Sequence, residues 1–543
     1  MELSLLKLPE SPAIFLDYIS NFSKVKSFFQ HNFRDDWPAV IESRSNFDIP
    51  RKAIVEILQT QNKQWDAPKA TFANIQKLAD KNTFAIVTGQ QAGTLGGPLY
   101  TMFKTMTVLR LSEQLNRDFP QYNFVPVFWM EVNDSDFEEI ASIKYINKEN
   151  QIKQLAITET EADRQKPIAA RYLDDQMQQW RQEVEDDFFD TEFKEKTLSL
   201  FFDCYASGHS LADAFARLLL NLFGNRGLIV LNPAGPDVCA LAAPLFKKTL
   251  SNPTEIIDKF TERGEALKTA GYTAQIRFNE QQTLLFFNDT EMRRVRIDID
   301  TEGQFRLKYP DGYKPIDRES LLKTCSERPE YLSPNVALRP LLQDNLLPTV
   351  AYVAGPSEAA YYAQIEVLYR YFQIPMPVIF PRHRVTLVEK KAEKIIQKNN
   401  LDYISLLSNR ADFIETFIRE NASQNLFNSL ETTEKQIKDA LENLRNLIKE
   451  NDSTLLNPLD KTRQNIEGSF GKLSNKVTRS LEEKNKILVN QLERVLQNLL
   501  PGNNFQEREL NCIYFAIKYG TGLLDEIYET LPENTDEHVV IKL

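Results

Sequence analysis

Residues 83–104 read TFAIVTGQQAGTLGGPLYTMFK, and this stretch decides the fold. The apolar run 84–87 lacks the polar alternation of a half-exposed strand, which predicts a strand buried on both faces of a parallel sheet. Four glycines follow within the nine residues 89–97, and apolar residues at helical spacing begin at Leu99. We therefore predict a core strand that stops at Thr88, a glycine loop and then a helix.

This arrangement predicts an anion site, because backbone N–H groups at a helix N-terminus attract negative charge and glycines leave them accessible. The residues predicted to shape or border this cradle are Gly89, Gln90, Gln91 and Gly97, with Tyr100 and Lys104 nearby. The residues predicted to bind a cofactor are Gly93, Gly96 and Gly97. A turn whose glycines serve packing alone is the alternative, since neither the dinucleotide nor the P-loop spacing is matched.

Composition excludes several classes of protein. The chain has 543 residues, of which 42% are hydrophobic and 26% charged, as in an ordinary soluble protein of several domains. The net charge of −11 argues against a broad nucleic-acid surface. The four cysteines form no C-x-x-C pair, and no signal peptide or membrane-spanning run is visible. We expect a cytoplasmic protein with reduced cysteines and neither nucleic acid nor membrane as a partner.

Four further apolar runs extend the predicted sheet, at 124–130, 228–231, 348–354 and 377–380. Helical patterns separate them, and residues 1–82 are predicted to be mainly helical. Strands that alternate with helices indicate an α/β fold with a doubly wound parallel sheet. Ligands bind such sheets at the carboxyl ends of the strands, so we expect the functional site there.

Two changes of pattern predict inserts in this core, and a third predicts a coiled coil. The segment 145–200 is polar and predicts a helical insert, whereas short alternating runs between about 260 and 330 predict a small antiparallel sheet. The predicted divisions are 1–144 for the N-terminal part of the core, 145–205 for the helical insert, 206–255 for the continued core, 256–330 for the β-rich insert, 331–425 for the completed core, 426–502 for a coiled-coil dimerisation hairpin and 503–543 for a C-terminal segment.

The hairpin is predicted from apolar spacing. Residues Ile437 to Ile448 show a 4-3-4 spacing, the break 451–453 follows, and a near-heptad register continues over 466–499. A second arm of roughly 45 residues would be about 65 to 70 Å long, because an α-helix rises 1.5 Å per residue. A helix of that length needs a partner, which favours a homodimer; packing onto its own domain is the alternative.

Polar side chains follow most of the predicted strands, and their convergence on one sheet edge is the reason to treat them as site residues. A single one of them would be read as a cap or a solvated group. The candidates are Trp129 in the second strand with Asn133, Asp134 and Asp136 after it, Asn335, Arg339, Gln343 and Asp344 before the fourth strand, and Gly355, Ser357, Glu358 and Tyr361 after the fourth. His383 follows the last strand as a candidate proton carrier, with helix entry and packing as its alternative.

Four longer motifs connect these candidates to a known family. They read TGQQAGTLGGPLYTMFK, VFWMEVNDSDFEEI, LSPNVALRPLLQDNLLPTVAYVAGPSEAAYYAQI and PGNNFQERELN, in that order along the chain. At these motifs the chain resembles the cysteine ligases of bacillithiol biosynthesis, and the resemblance covers nearly the whole length. It implies a Rossmann-like core, inserts similar to the connecting peptides of class I aminoacyl-tRNA synthetases, and a C-terminal coiled coil that pairs two chains.

The resemblance also implies a reaction, the joining of L-cysteine to glucosaminyl-malate through an amide bond. Such a bond needs an activated carboxylate, so we expect ATP or another adenine nucleotide; a metal requirement stays open because a D-x-D pair alone is a weak signal. On this hypothesis Asp134 and Asp136 carry the chemistry with His383 and orient an amine or metal. Arg339 pairs with a substrate carboxylate, and Glu358 with Tyr361 binds the amine.

The resemblance has one departure, at Ser135. The family pattern reads E-D-H-D-F in the acidic loop, whereas this chain has Asn133-Asp134-Ser135-Asp136-Phe137. A serine hydroxyl neither exchanges a proton near neutral pH nor binds a metal as imidazole does. Two other functions therefore stay open: a nucleotidyltransferase-like enzyme acting on another small acceptor, and a non-catalytic coiled-coil scaffold.

Overall fold

The structure is a computed structural model that describes residues 1–5, 8–9, 11–277, 281–408, 413–422 and 424–543. The chain divides into two compact units. The core unit comprises Met1–Thr386 and Gln506–Ile541, and the coiled-coil unit comprises Leu387–Phe505 and Lys542–Leu543. No helix among the described residues is long and apolar enough to span a bilayer.

The strands are numbered in chain order. They are β1 (Glu2–Ser4), β2 (Thr83–Gln91), β3 (Asn123–Glu131), β4 (Ser142–Ile146), β5 (Ile152–Ala156), β6 (Ile229–Leu231), β7 (Gln282–Asn288), β8 (Arg294–Ile299), β9 (Phe305–Tyr309), β10 (Gly312–Pro315), β11 (Leu332–Pro334), β12 (Thr349–Ala354), β13 (Val378–Pro381), β14 (Arg384–Val388) and β15 (Glu537–Lys542).

The helices are numbered in the same way. They are α1 (Ala13–Ser20), α2 (Trp37–Ser45), α3 (Arg51–Gln64), α4 (Lys69–Lys77), α5 (Leu99–Asp118), α6 (Gln176–Asp187), α7 (Lys194–Cys204), α8 (Leu211–Phe223), α9 (Pro236–Ser251), α10 (Pro253–Thr269), α11 (Arg318–Glu327), α12 (Arg339–Leu346), α13 (Pro356–Phe372), α14 (Lys390–Lys398), α15 (Tyr403–Ser408), α16 (Phe413–Ala422), α17 (Gln424–Asn451), α18 (Leu456–Lys484), α19 (Lys486–Leu499), α20 (Gln506–Glu509), α21 (Cys512–Tyr519) and α22 (Gly522–Thr530).

A parallel sheet lies at the centre of the core unit. Its strand order is β13-β12-β2-β3-β6, and every neighbouring pair runs parallel. The apolar run Phe84 to Val87 is fully buried, because β3 and β12 flank it in the sheet and α5 packs against β2 and β3. The predicted α/β class with a parallel core sheet is confirmed, and so are the mainly helical residues 1–82.

The first core strand is longer than the sequence predicted. The expected loop at 88–91 is part of β2, and Gly89, Gln90 and Gln91 pair with Trp129, Met130 and Glu131 of β3. Neighbouring strands that supply backbone partners override the tendency of this glycine to end a strand. The prediction that the strand stops at Thr88 is therefore wrong, and the turn begins after Gln91.

The first predicted insert differs from its prediction, whereas the second agrees with it. The segment 145–200 was predicted to be helical, but β4 and β5 form an antiparallel hairpin before α6 and α7. This hairpin was missed because β5 exposes most of its side chains, so it carries little apolar alternation. Strands β7 to β11 form an antiparallel sheet of order β10-β9-β8-β7-β11, as the alternating runs predicted.

The coiled-coil unit contains the predicted helical hairpin. Helices α17 and α18 pack together across a short turn, and Arg445 forms an ion pair with Asp460 near that turn. The second arm was predicted to be continuous, but Asn485 leaves helical geometry with φ −105° and ψ 23°, so α18 and α19 are separate helices. The Asn485 side-chain amide donates to the Leu481 carbonyl, a local bond that competes with helix continuation.

The turn after β2 generates a stability prediction. A Cβ added at Gly93 would lie 2.8 Å from the Cα of Gly97, whereas a Cβ at Gly264 in α10 meets nothing within 4 Å. We expect Gly93→Ala to lower the free energy of unfolding by about 1–3 kcal/mol, because the backbone must shift to admit the methyl group. Gly264→Ala should instead raise it by up to about 1 kcal/mol.

Urea unfolding followed by tryptophan fluorescence measures both changes. The four tryptophans, at positions 37, 65, 129 and 180, all belong to the core unit, so the signal reports on that unit. Equal stability of the two alanine variants would contradict the close approach of Gly93 to Gly97.

Candidate functional site

A cavity of about 340 Å³ lies at the carboxyl ends of β2, β3 and β12. We call it the first chamber. The sequence analysis predicted the site at this edge of the sheet. All of the residues that line the cavity belong to the core unit. The predicted site residues that line it are Gly89, Gln90, Gln91, Tyr100, Lys104, Asp134, Arg339, Gly355, Ser357, Glu358 and Tyr361.

A second chamber of about 270 Å³ adjoins the first. The antiparallel insert contributes Gln282, Phe286 and Arg294 to its wall, and the predicted site residue Asn335 lies there. The residues that line both chambers are Glu131, Asp134, Val336 and Arg339. Two small molecules held in these chambers would therefore meet at a shared wall that carries two carboxylates and a guanidinium.

Lys104 and Glu358 both line the first chamber and form an ion pair, in which Lys104 is buried and the Glu358 side chain is 22% exposed. The Lys104 Nζ lies 2.5 Å from Glu358 Oε2 and also donates to the Gly89 carbonyl at 2.7 Å and to Gln90 Oε1 at 2.9 Å. These three partners use all three ammonium donors. Burial raises the pKa of Glu358, but the Lys104 ammonium outweighs it and holds that pKa below its usual value. Lys104 therefore holds β2 and Glu358 in place.

Glu358 has two further partners that fix its carboxylate. It accepts from the Gly355 N–H at 2.8 Å, which caps the start of α13, and from the Tyr352 hydroxyl at 2.9 Å. With Lys104 these contacts leave little of the carboxylate to bind a substrate amine. The predicted amine-binding role of Glu358 thus has weak geometric support, although the residue lines the chamber.

Arg339 is buried at the wall between the chambers, with a guanidinium whose contacts are long. It donates to the Tyr361 hydroxyl at 3.1 Å, the Tyr352 hydroxyl at 3.3 Å and Gln343 Oε1 at 3.4 Å. Its Nε lies 3.4 Å from Glu131 Oε2. Long contacts such as these leave the guanidinium able to form shorter, charge-assisted bonds to a carboxylate.

Glu131 ends β3 at the shared wall, and its side chain is 19% exposed. Its Oε2 accepts no hydrogen bond, although Arg339 is near. Burial raises the pKa of Glu131 to about 7, against the opposing charge of Arg339. A carboxyl group with a pKa near neutrality can exchange a proton under physiological conditions.

Asp134 lies between the chambers and is held by several donors. Gln91 Nε2 donates to its Oδ2 at 2.9 Å, and Arg294 Nη1 lies 3.4 Å from its Oδ1. The N–H groups of Ser135 and Asp136 also point to Oδ1, at 2.8 and 3.3 Å. These bonds make Asp134 an organiser of its own loop as well as a lining group.

Two arginines add positive charge to the first chamber. Arg382 donates two bonds to Glu507, at 2.7 and 2.9 Å, and this pairing lowers the pKa of Glu507 to about 2 despite its burial. Arg508, the residue after Glu507, is exposed and forms no hydrogen bond or ion pair with the described residues. Arg508 is therefore available to an anionic ligand.

The glycine cradle is not open in the way that the sequence predicted. The Gly93 N–H donates to the carbonyl two residues earlier at 2.9 Å, the Gly96 N–H to the Tyr205 hydroxyl at 3.1 Å, and the Gly97 N–H to the Thr94 carbonyl at 3.0 Å. All three glycines are buried and line neither chamber. The expectation of unobstructed N–H groups is wrong, because the turn satisfies its own donors and packs on α8.

His383 lies outside both chambers and has two internal partners. Its Nε2 donates to the Pro532 carbonyl at 2.8 Å, so its Nδ1 accepts from the Thr107 hydroxyl at 2.8 Å. Burial lowers the pKa of His383 to about 4, so the ring is neutral near pH 7. The packing alternative therefore describes this residue, and its placement as a proton carrier at the site is wrong.

The other predicted residues also lie away from the chambers. Trp129 and Asn133 are buried, whereas Asp136 is exposed and lines neither chamber. Gln343 connects Arg339 to Asp344 by donating to Asp344 Oδ1 at 2.8 Å. Asp344 itself accepts from the Tyr369 hydroxyl in a buried network. Across the described part of the chain no three His, Cys, Asp or Glu side chains gather as a metal site would require.

Comparison with known proteins adds to this geometry. Residues 1–383 match the family model for the N-terminal Rossmann-like domain of the bacillithiol biosynthesis protein BshC, and residues 385–543 match the model for its C-terminal coiled-coil domain. The chain belongs to the bacillithiol biosynthesis BshC family. The family assignment from the four motifs is thereby confirmed, as is a Rossmann-like core followed by a coiled coil.

Individual relatives match over nearly their whole length. A protein of Salinibacter ruber is 33% identical over 532 residues, which cover 98% of this chain and 96% of the relative. One of Chloroherpeton thalassium is 31% identical over 547 residues, with 98% and 96% covered. One of Geobacillus kaustophilus is 29% identical over 549 residues and covers both chains completely. Each relative is named "Putative cysteine ligase BshC".

Sequence reasoning missed seven residues that line the first chamber, of which five have polar side chains: Glu131, Glu139, Tyr352, Arg382 and Arg508. Glu131 had a usable signal, since it is the first polar residue after the apolar run of β3. Tyr352 lies within a strand that reads as uniformly apolar, and Arg382 stands beside the more conspicuous His383. Arg508 follows the coiled coil in the chain, and no local pattern predicts that it belongs to the core unit.

The ion pair of Lys104 with Glu358 generates a testable prediction. Lys104→Met should lower the free energy of unfolding by about 1–3 kcal/mol, because it leaves a partly buried carboxylate without its counter-charge. Adding Glu358→Gln to this variant should recover part of that loss, since the uncompensated charge is then removed.

Urea unfolding by tryptophan fluorescence of the two single variants and the double variant gives the coupling energy. Lys81→Met, at an exposed lysine of the same unit, is the matched control and should change stability by no more than about 0.5 kcal/mol. Additive effects of the two substitutions would show that the pair does not couple.

Proposed function

We propose that this chain joins L-cysteine to glucosaminyl-malate through an amide bond, as the last step of bacillithiol biosynthesis. The observation that best supports this function is the pair of adjoining chambers with Glu131 and Arg339 on their shared wall. A ligase must bring an amine and a carboxyl group together, and two chambers in contact provide that arrangement. The naming of full-length relatives as cysteine ligases supports the same reaction.

The charges of the first chamber suit glucosaminyl-malate, which carries carboxylates on its malyl part. Arg508 is exposed and unpaired among the described residues, and Arg382 lies beside it in the lining. Ser357 lies in the first turn of α13, where the positive end of the helix dipole adds to this charge. We assign the malyl carboxylates to this side of the chamber, so that the amine of the sugar lies towards the shared wall.

Activation of the cysteine carboxylate by ATP is also part of this proposal, because a free carboxylate does not form an amide at a useful rate. The predicted nucleotide site does not fit a phosphate: Gly93, Gly96 and Gly97 are buried and use their N–H groups internally. We therefore assign no residue to the nucleotide and base no step on it. We also propose a cytoplasmic location for the reaction.

Deletion of the gene tests this function. Thiols of the source organism, trapped with a thiol-reactive reagent, are profiled by mass spectrometry with and without the gene. Bacillithiol should disappear and glucosaminyl-malate should accumulate, because the substrate of the last step is still made. Expression of the intact chain from a plasmid is the control and should restore the thiol.

An unchanged thiol profile would contradict the proposal that the organism needs this chain to make bacillithiol. If a folded but catalytically impaired variant restores bacillithiol to the deletion strain, a non-catalytic scaffold is favoured instead. The two outcomes are separable because both strains are scored for bacillithiol and for glucosaminyl-malate.

We propose further that two chains associate through the coiled-coil unit. Leu444 and Leu447, on one face of α17, are 44% and 58% exposed, and Leu473 of α18 is 46% exposed. Apolar side chains at coiled-coil positions are normally covered by a partner helix. A second copy of this chain offers the same apolar face, so a symmetric pair would bury both.

This association generates a matched pair of variants. Leu444→Lys with Leu447→Lys should convert the dimer to a monomer, because it places charges in the apolar contact. Asn443→Lys with Asn446→Lys adds the same charge at the same spacing on exposed polar positions and should leave the dimer intact. Light scattering coupled to size-exclusion chromatography measures the mass, and a wild-type chain of monomer mass would rule the proposal out.

A further inference from the structure

Glu131 lines both chambers and lies at the end of a core strand. Among the described residues that line the chambers, it is the only carboxylate with this placement. It follows the fully buried residues of β3, and its backbone pairs with Gln91 in the neighbouring strand. This placement fixes the carboxylate on a rigid element rather than on a loop. Groups built on strands hold reacting atoms more accurately than groups on loops do.

The amide-forming reaction contains a proton step that needs such a group. The amine of an amino sugar is largely an ammonium ion at neutral pH, and an ammonium nitrogen has no electron pair with which to attack a carboxyl carbon. One N–H bond must break first, so that the electron pair stays on nitrogen and the proton passes to an acceptor. General bases commonly perform this step in enzymes.

We propose that Glu131 is this acceptor: its carboxylate takes the proton from the amine of glucosaminyl-malate at the wall shared by the two chambers. The carboxylate becomes a carboxylic acid, and the ammonium becomes a neutral amine. The amine can then attack the activated carboxyl carbon of cysteine, where the C–N bond forms as the C–O bond to the activating phosphate or nucleotide breaks and that group leaves with the electron pair. This inference rests on the proposed ligase function. It depends on the location of Glu131 and on an oxygen that accepts no hydrogen bond within the protein.

Glu139 lines the first chamber alone and so lies away from the shared wall, and the two remaining carboxylates are less suited to this role. Glu358 is engaged by Lys104, Tyr352 and the Gly355 N–H, which hold it in the ionised form. Asp134 is held by Gln91 and by N–H groups of its own loop. A carboxylate that is already satisfied by donors is a poor proton acceptor, because protonation would break those bonds.

The charged groups that face Glu131 set its proton affinity. Arg339 of α12 and Arg294 of β8 favour the ionised form, whereas Asp134 opposes it, and Tyr361 of α13 lies close by. Burial has the largest effect and raises the pKa of Glu131 to about 7. The fraction of carboxylate therefore rises as the pH increases through about 7, and product formation should rise with it.

Steady-state kinetics of the purified full-length protein with cysteine, glucosaminyl-malate and ATP test this role. Glu131→Gln preserves size and removes proton acceptance, so kcat should fall about 100-fold or more. The KM for glucosaminyl-malate should stay within about threefold, because the loss concerns the chemical step. The rise of kcat/KM with pH should also lose its midpoint near 7 in this variant and follow only the deprotonation of the substrate amine.

Two variants complete the design. Glu138→Gln removes a carboxylate of the loop after β3 that is exposed and lines neither chamber, and it should keep the wild-type rate and pH profile. Glu131→Asp keeps a carboxylate at a greater distance and should retain a rise with pH at a reduced kcat. A Glu131→Gln variant with near-normal kcat, or with an unchanged pH profile, would overturn the role of Glu131 while leaving the ligase function intact. A wild-type protein that makes no product would overturn the ligase function and this inference together.

Discussion

The parallel pairing of β2 with β3 and β12 is the constraint on which the site depends. It brings Gly89, Gln91 and Glu131 to one edge of the sheet, and the pairing of Gln91 with Glu131 sets how far each strand extends. Lys104 reaches back from α5 to the Gly89 carbonyl and across to Glu358. Strand pairing and this buried charge therefore position the residues of three separate chain segments together.

Charge in the chambers is divided between groups that hold the structure and groups that remain available. Lys104 with Glu358, and Arg382 with Glu507, are ion pairs whose donors are largely used within the protein. Arg339 has long contacts, and Arg508 has no ion pair with the described residues. On the proposed function, the available arginines would bind the anionic substrates, and the nearby carboxyl group of Glu131 would accept the proton.

Ser135 shows why a departure from a family pattern needs a structure before it is interpreted. Its N–H donates to Asp134 Oδ1, a backbone bond that does not depend on its side chain. Asp136, the next acidic residue, is exposed and lines neither chamber. The acidic loop thus contributes Asp134 to the chambers, whereas the carboxyl group best placed for proton transfer belongs to the strand before it.

The sequence by itself determined the α/β class, the parallel core, the antiparallel insert and the helical hairpin, because each of these depends on local apolar periodicity. It also located the edge of the sheet at which most of the predicted residues converge. Only the tertiary structure decided which polar groups stay available. The N–H groups of Gly93, Gly96 and Gly97 and the ring of His383 find partners distant in sequence or within a tight turn, and no local pattern reveals those partners. The place of Arg508 in the core unit is likewise decided by long-range contacts, because residues 506–541 belong to that unit although the coiled coil precedes them in the chain.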